Sequence, residues 1–549
     1  MEAQCLALRD LPHITKLHSL YHDDFSSVAE FYAHPPTLGG LRASAAQVRL
    51  DPATRAAVVA ALRDENRSFG SAANLEPSVA QNLDRLAAGA VAIVTGQQVG
   101  LFTGPAYSIY KAITAIRTAR DLTASGIDAV PIFWLASEDH DLAEVDHCFW
   151  PSREGLQRLA RQGAADSSKL SDGRSVGEIA LGDSISAVVA AAAEALDGPD
   201  SAAISFALAD SYLSGETFSS AFGKLLSRLL HGRGLILLDP MEPRLQGLAA
   251  PVYRRALSEN AGLIHDLTAR NKALERAGFD AQVRVAASGT LLFTTLDGRR
   301  TALRAKNGGF VAGDAAFSLA QLDDALEKSP GDFSSNVLLR PVVQDSLLPT
   351  AGYIAGPAES AYYAQASVVY QRLLGRMPVI LPRASFTLVE PRVARLLRKY
   401  RLELRDLLRG RQHVRARLER ESVPRELARH SSTGDKNLRR YLARLRRPIS
   451  KLDPTLAGAL STAERKMLFQ LEKLRGKAGR AADLRENLLD AHEQTLRDAL
   501  YPHRGLQERS LCLLPFLARH GAALLDELER RALPIADRPS RFCHQVLFL

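Results

Sequence analysis

Residues 91–147 read VAIVTGQQVGLFTGPAYSIYKAITAIRTARDLTASGIDAVPIFWLASEDHDLAEVDH, and this stretch decides the fold. The apolar run Val91–Val94 predicts a buried strand. It enters a loop with glycines at 96, 100 and 104. Gly104-Pro105 then opens a helix, because proline is favoured at the first helical position, and Tyr107, Tyr110 and Lys111 fall on its first turns. A second apolar run, Val130–Leu135, ends in Glu138-Asp139-His140-Asp141, with Glu144 and His147 beyond. Strand, loop, helix, strand is one βαβ unit. Open α/β sheets bind ligands outside the carboxyl ends of their strands, which is where this polar cluster falls.

Working outward, residues 1–90 read as mostly helical, and residues 152–230 as a polar, then alanine-rich, helical insertion. Leu235–Leu238 is a third candidate strand, ending at Asp239-Pro240, and residues 250–277 are helical. Short alternating runs between Gln282 and Val311 predict hairpins, with Asp297-Gly298 as a turn signal. Val337–Val343 and Pro378–Leu381 are two further candidate strands. The economical picture is a parallel sheet in residues 1–385, interrupted by insertions at about 152–232 and 250–335. After Pro382 apolar residues recur at steps of three and four. Two long helices joined near the polar stretch His430–Asp435 are expected over residues 386–500, as an antiparallel coiled coil. Pro448 and Pro454 are expected to break the second helix near its start. Residues 501–549 are expected to fold back onto the core.

Hydrophobic content of 46% and charged content of 24% are ordinary for a globular protein. No apolar run reaches the ~18 residues of a membrane span, and the first residues lack the apolar centre of a secretory signal. Four cysteines, Cys5, Cys148, Cys512 and Cys543, lie far apart with no C-x-x-C pair. That spacing argues against a disulfide framework or a structural metal, and for a cytoplasmic location. From Phe386 to Leu500 there are 28 Lys and Arg against 15 Asp and Glu, a local charge of +13 that leaves −4 for the rest. This basic module suits phosphate groups or a solvated helical face.

The loop Gly96–Gly104 matches neither Walker A nor G-x-G-x-x-G. Its glycines would still let backbone approach a ligand, and the helix tip suits a phosphate or carboxylate. Gly356-Pro357-Ala358-Glu359-Ser360-Ala361-Tyr362 repeats the G-P-A-x-S-x-Y spacing of residues 104–110. Glu138, Asp139, His140, Asp141, Glu144 and His147 fit three jobs, namely substrate work, a divalent ion, or salt bridging. Arg340, Gln344 and Asp345 flank a candidate buried strand, where a charge needs a partner, and Arg383 ends another. Cys148 beside His147 reads as a buried thiol.

The strings TGQQVGLFTGPAYSIYKAI (95–113), PIFWLASEDHDLAEVDH (131–147), NVLLRPVVQDSLLPTAGYIAGPAESAYYAQ (336–365) and MPVILPRASFTL (377–388) resemble the bacillithiol biosynthesis cysteine-adding enzyme family, BshC. FYAHPP, LQERSL and the closing HQVLFL extend the resemblance over nearly the whole chain. The resemblance implies a Rossmann-like core similar to class I nucleotidyltransferases, plus a coiled-coil domain that makes a homodimer. It implies a ligase joining the cysteine carboxyl to the amine of glucosaminyl-malate. TGPAYSIYK lies where class I enzymes place their first nucleotide motif, although His-x-Gly-His is absent.

ATP, with Mg, is the expected cofactor, since a carboxylate needs activation before it acylates an amine. Backbone amides of residues 96–105 and Lys111 are expected to hold the nucleotide. Gly96, Gln97, Gln98, Gly100, Thr103, Gly104, Tyr107 and Tyr110 would form that side of the pocket, with Arg340, Gln344, Asp345, Gly356, Glu359 and Arg383 opposite. Glu138, Asp139 and Asp141 would bind amine or hydroxyls, one acting as base, and His140 and His147 would stabilise charge. Small molecules, not membrane or nucleic acid, are the expected partners. Two alternatives stay open: a metal-dependent hydrolase built on Glu138–His147, and a non-catalytic nucleic-acid-binding coiled-coil protein.

Overall fold

Five strands form a parallel sheet in the order Val379–Pro382, Thr350–Ala355, Val91–Gln97, Ala129–Leu135, Ile236–Leu238. The computed structural model of the protein describes residues 2–12, 14–70, 74–152, 154–161, 173–422, 425–483, 488–532 and 542–549. Val91–Gln97 starts in the middle of the sheet. The chain lays two strands to one side, then returns to lay two on the other. The order therefore reverses between Val91–Gln97 and Thr350–Ala355, and such a switch point opens a crevice at the carboxyl ends of the strands. The middle strands are buried along nearly their whole length, as parallel strands covered on both faces should be. Helix Tyr107–Ala124 covers one face, with Ile109, Ile113 and Ile116 buried.

The residue 282–311 region forms hairpins as its turn signals require. Gly289–Leu296 and Arg299–Lys306 pair antiparallel, and Asp297 and Gly298 both take positive φ (49° and 73°) at the turn between them. Five strands make up this second sheet.

Several expectations are corrected. Val337–Val343 is not a strand. Asn336 Oδ1 accepts from the amides of Leu338 and Leu339, Pro341 removes a ladder donor, and the chain turns into helix Arg340–Leu347. The strand lies beyond it, at Thr350–Ala355. Its small residues hid it in the sequence, yet they are what the packing needs, for a Cβ on Gly352 would lie 2.7 Å from Leu41 Cδ2. Residues 1–90 include a strand, Glu2–Ala7, before their helices, and the 152–230 insertion begins with the hairpin His147–Ser152/Gly155–Ala160. Cys5 and Cys543 form a disulfide, with Cα atoms 5.7 Å apart. Their separation in sequence hid a closeness that only folding creates.

The chain divides into two compact units, Cys5–Phe386 with Glu508–Gln545, and Met1–Gln4 with Thr387–Gln507 and Val546–Leu549. In the second unit the long helices are Arg425–Leu452 and Leu456–Asp483, paired antiparallel by Arg475–Asp435 and Arg439–Glu464. The polar stretch His430–Asp435 lies inside the first helix rather than at the joint. Thr433 Oγ1 donates to the Arg429 carbonyl, so its hydroxyl is satisfied within the helix. Pro448 also sits inside that helix. The turn falls at Asp453–Thr455, where Asp453 Oδ1 accepts from the Thr455 amide at 2.8 Å. No described helix is long and apolar enough to cross a membrane.

Candidate active site

Each strand on either side of the switch point ends in residues that face one cavity of about 540 Å³. Val91–Gln97 supplies Gly96 and Gln97. Ala129–Leu135 leads to Glu138 and Asp139. Thr350–Ala355 supplies Tyr353 and leads to Gly356, and Val379–Pro382 leads to Arg383. The second sheet and the segment after it add Phe293, Arg300 and Asn336, and Arg509 comes from the C-terminal stretch.

Lys111 joins the two sides of the crevice. Its Nζ lies 2.6 Å from Glu359 Oε2, and donates to the Gly96 carbonyl (2.8 Å) and to Gln97 Oε1 (2.9 Å). An ammonium has three N–H groups, so all are occupied by protein. Tyr353 OH and the Gly356 amide also donate to Glu359, at 2.8 and 2.7 Å. Burial opposes ionisation of the Glu359 carboxyl, and the Lys111 ammonium outweighs it, holding the carboxyl below its ordinary range.

Three cations on the wall have no such partner. Among the described residues no carboxylate lies at ion-pair distance from Arg300, Arg340 or Arg509. Arg340 donates to Tyr362 OH (2.9 Å) and lies near the Tyr353 ring. Arg300 donates to Ser334 Oγ and the Ser335 carbonyl, and covers the Phe293 ring at 3.7 Å. Arg509 sits 6.0 Å from the Tyr107 ring centre. Arg383 differs, for it is paired with Glu508 at 2.6 Å. Glu138 faces Arg300 and Arg340. Burial pushes its carboxyl up to about 7, against the pull of Arg300. The wall therefore offers guanidinium groups without a carboxylate at ion-pair distance among the described residues, beside a carboxyl able to take a proton near neutral pH.

Two sequence models describe the chain: "Bacillithiol biosynthesis BshC, N-terminal Rossmann-like domain" matches residues 1–384, and "Bacillithiol biosynthesis BshC, C-terminal coiled-coil domain" matches 386–548. Three proteins each named "Putative cysteine ligase BshC" are similar over almost their full length. That of Koribacter versatilis is 41% identical over 96% of this chain and 97% of its own. That of Solibacter usitatus is 37% identical over 96% and 98%, and that of Salinibacter ruber 33% over 96% and 95%. The chain belongs to the BshC family.

Not every residue singled out in this BshC chain reaches the cavity. Gly96, Gln97, Gln98, Tyr107, Lys111, Glu138, Asp139, Arg340, Gly356, Glu359 and Arg383 line it. Four amides in and after the glycine loop are taken up by protein. The Gly100 amide donates to the Gln98 carbonyl, Phe102 to Tyr212 OH, Gly104 to Leu101 and Ala106 to Leu511. A Cβ on Gly100 would lie 3.1 Å from Gly104 Cα, so these glycines let the loop pack on itself. Thr103 is buried within that loop, and Tyr110 packs edge-on against Phe386.

Gln344 and Asp345 belong to the core, where Asp345 accepts from Gln344 Nε2 and Tyr370 OH. Asp141 caps the short helix Leu142–Val145, and His147 bonds Asp146 at 3.0 Å. His140 is exposed beside Arg300 Nη1 (3.3 Å). The acid-imidazole cluster is thus split, and among the described residues no three His, Cys, Asp or Glu side chains gather as a metal site.

Arg300, Tyr353, Tyr362, Asn336 and Arg509 were missed in the sequence. Arg509 sits within LQERSL, and Arg300 directly follows a predicted turn. Neither position has a local pattern that says it faces a ligand.

Proposed function

We propose that this protein is an ATP-using ligase that adds cysteine to glucosaminyl-malate, forming the amide of bacillithiol. The supporting observation is the set of three arginines without carboxylate partners that faces Glu138 across one cavity. Glucosaminyl-malate carries two carboxylates and ATP a triphosphate, and guanidinium groups pair well with both. Tyr107, Tyr362 and Phe293 give that wall an apolar face for a ring. ATP, with its Mg, would be held by the free arginines and would supply a phosphate leaving group to the cysteine carboxylate. Lys111 is a strut in this scheme rather than a phosphate contact, because its N–H groups are occupied. The amine of glucosaminyl-malate must be neutral to attack, and Glu138 is placed to accept its proton.

The purified protein given ATP, cysteine and glucosaminyl-malate should release bacillithiol, read by mass spectrometry. Arg340→Gln should raise the KM for glucosaminyl-malate by about 30-fold or more, the loss expected when a charged contact worth roughly 2 kcal/mol is removed. Product formed equally without ATP sinks the nucleotide-dependent scheme, and an unchanged KM in the variant sinks the anion-binding role.

The ligase reading suits a cytoplasmic enzyme. The helical hairpin supports a homodimer, since Tyr441, Met467, Phe469 and Leu474 stand 46–63% exposed on it. Sedimentation should give twice the 59.7 kDa chain mass. A Phe469→Glu/Leu474→Glu variant should sediment as a monomer, and a wild-type monomer at micromolar concentration removes this assembly.

A further inference from the structure

The turn that carries Glu138 is fixed from outside the cavity by Asp239, which follows the last strand on that side of the sheet. Ser137 Oγ donates to Asp239 Oδ1 at 2.5 Å, the Met241 amide donates to the same oxygen at 3.0 Å, and Ser219 Oγ donates to Oδ2. The Asp239 amide in turn donates to Glu65 Oε1 at 3.2 Å, and Glu65 Oε2 is buried without a hydrogen-bond partner. The backbone of the same turn is held on another side. The Gly177 amide donates to the Ser137 carbonyl (2.9 Å) and the Val176 amide to that of Asp139 (2.6 Å). A Cβ on Gly177 would lie 2.6 Å from Ser137 Cβ, so the turn has no room to shift.

Three carboxyl groups, Glu138, Asp239 and Glu65, thus follow one another away from the cavity. The charged and titratable groups facing Glu138 are Arg300 and Arg340 on the cavity wall, with Asp139, Asp239 and Tyr253. Glu65 has Asp239, Glu242 and Arg244 around it. Burial and then the Asp239 charge push the Glu65 carboxyl well above its ordinary range. Burial also raises Asp239, but its three donors oppose that rise. The Asp239 carboxyl accepts from three donors and the Glu65 carboxyl from one, so negative charge is better stabilised on Asp239.

We propose that Asp239 is a positioning residue: through Ser137 it fixes the direction of Glu138, and its negative charge strengthens Glu138 as the acceptor of the amine proton. This role rests on the ligase reading above. In that step the amine nitrogen forms the C–N bond to the activated cysteine carbonyl, and the C–O bond to the phosphate leaving group breaks. The N–H proton passes to Glu138. Asp239 touches none of the reacting atoms. It acts by holding Glu138 and by resisting its ionisation, and that resistance is the same property as basicity.

The test separates electrostatics from turnover. Infrared carboxyl titration, taken as wild type minus Glu138→Gln, reads the protonation midpoint of Glu138 without any reaction. The midpoint should lie near 7 in the wild type. It should fall by at least about half a pH unit, roughly threefold in proton affinity, in Asp239→Asn. The acidic limb of kcat/KM should move the same way. Ser219→Ala removes one donor from Asp239, favours its protonation and should shift both readouts in the same direction by less. It carries the test if Asp239→Asn does not fold. Lowered turnover with an unmoved midpoint and an unmoved acidic limb would make Asp239 merely structural and overturn the proposal. Failure to make bacillithiol would instead overturn the ligase reading, while the infrared midpoint still decides whether Asp239 tunes Glu138.

Discussion

Lys111→Met is expected to lower the stability of the sheet-containing unit by about 3–5 kcal/mol, the cost of leaving a buried charge without its partner. The Lys111 side chain is only 3% exposed and Glu359 17%. With the ammonium gone, Glu359 keeps Tyr353 OH and the Gly356 amide but has no cation within ion-pair distance among the described residues. The Gly96 carbonyl and Gln97 Oε1 lose their donor as well. Denaturant unfolding measures the loss. The double variant Lys111→Met/Glu359→Gln should recover much of the stability, because a neutral amide no longer needs the charge, while product formation stays low. A single variant as stable as the wild type would mean that the pair does not tie the two sides of the crevice together.

Glu138→Gln should do the opposite to stability and more to activity. Loss of a general base lowers kcat by roughly 10²–10⁴-fold, with little change in KM. The same substitution should stabilise the fold at neutral pH. The Glu138 carboxyl is raised from 4.5 to about 7, so the folded state resists its ionisation. That penalty is fully present above pH 7, shrinks as pH falls through the folded value, and is gone below about 4.5. It amounts to about 3 kcal/mol at pH 7–8. A neutral glutamine of the same shape does not pay it. Thermal unfolding at pH 8 and pH 4.5 should therefore show a raised melting temperature only at the higher pH. A variant that turns over normally removes Glu138 from the chemistry. One that is not stabilised at pH 8 contradicts a carboxyl whose ionisation the fold resists.

The two predictions describe one wall of the cavity in opposite ways. Lys111–Glu359 is a satisfied pair that joins the two sides of the crevice, and Glu138 is an acid whose ionisation the fold resists. The free arginines belong with the second kind. Arg300, Arg340 and Arg509 line one cavity without a carboxylate at ion-pair distance among the described residues.

Much of this was legible along the chain. Val91–Val94 and Val130–Leu135 are runs of β-branched and large apolar residues, and only a strand buried on both faces suits them. Gly356-Pro357 marks a helix start, because proline at the first position fixes φ and needs no N–H there, whereas after Gly104-Pro105 the helix begins two residues later, at Tyr107. Glu138 and Asp139 directly follow a strand, so their place at its carboxyl end required no tertiary information. Local rules failed where a residue's role depended on a distant partner. Val337–Val343 has strand-like letters, but Asn336 and Pro341 turn it into a helix, and the small-residue strand after it exists because Leu41 packs against Gly352.

Sequence alone determined the parallel sheet, the βαβ unit, the long helices and the family, because these follow from periodicity and from strings of adjacent residues. Only the tertiary structure decided which charges are neutralised. Lys111 looks like a phosphate ligand until Glu359 is found 2.6 Å away, and Arg300 and Arg509 look like surface residues until they meet in one cavity. A charge takes its meaning from its nearest neighbours in space, and here those neighbours come from opposite ends of the chain.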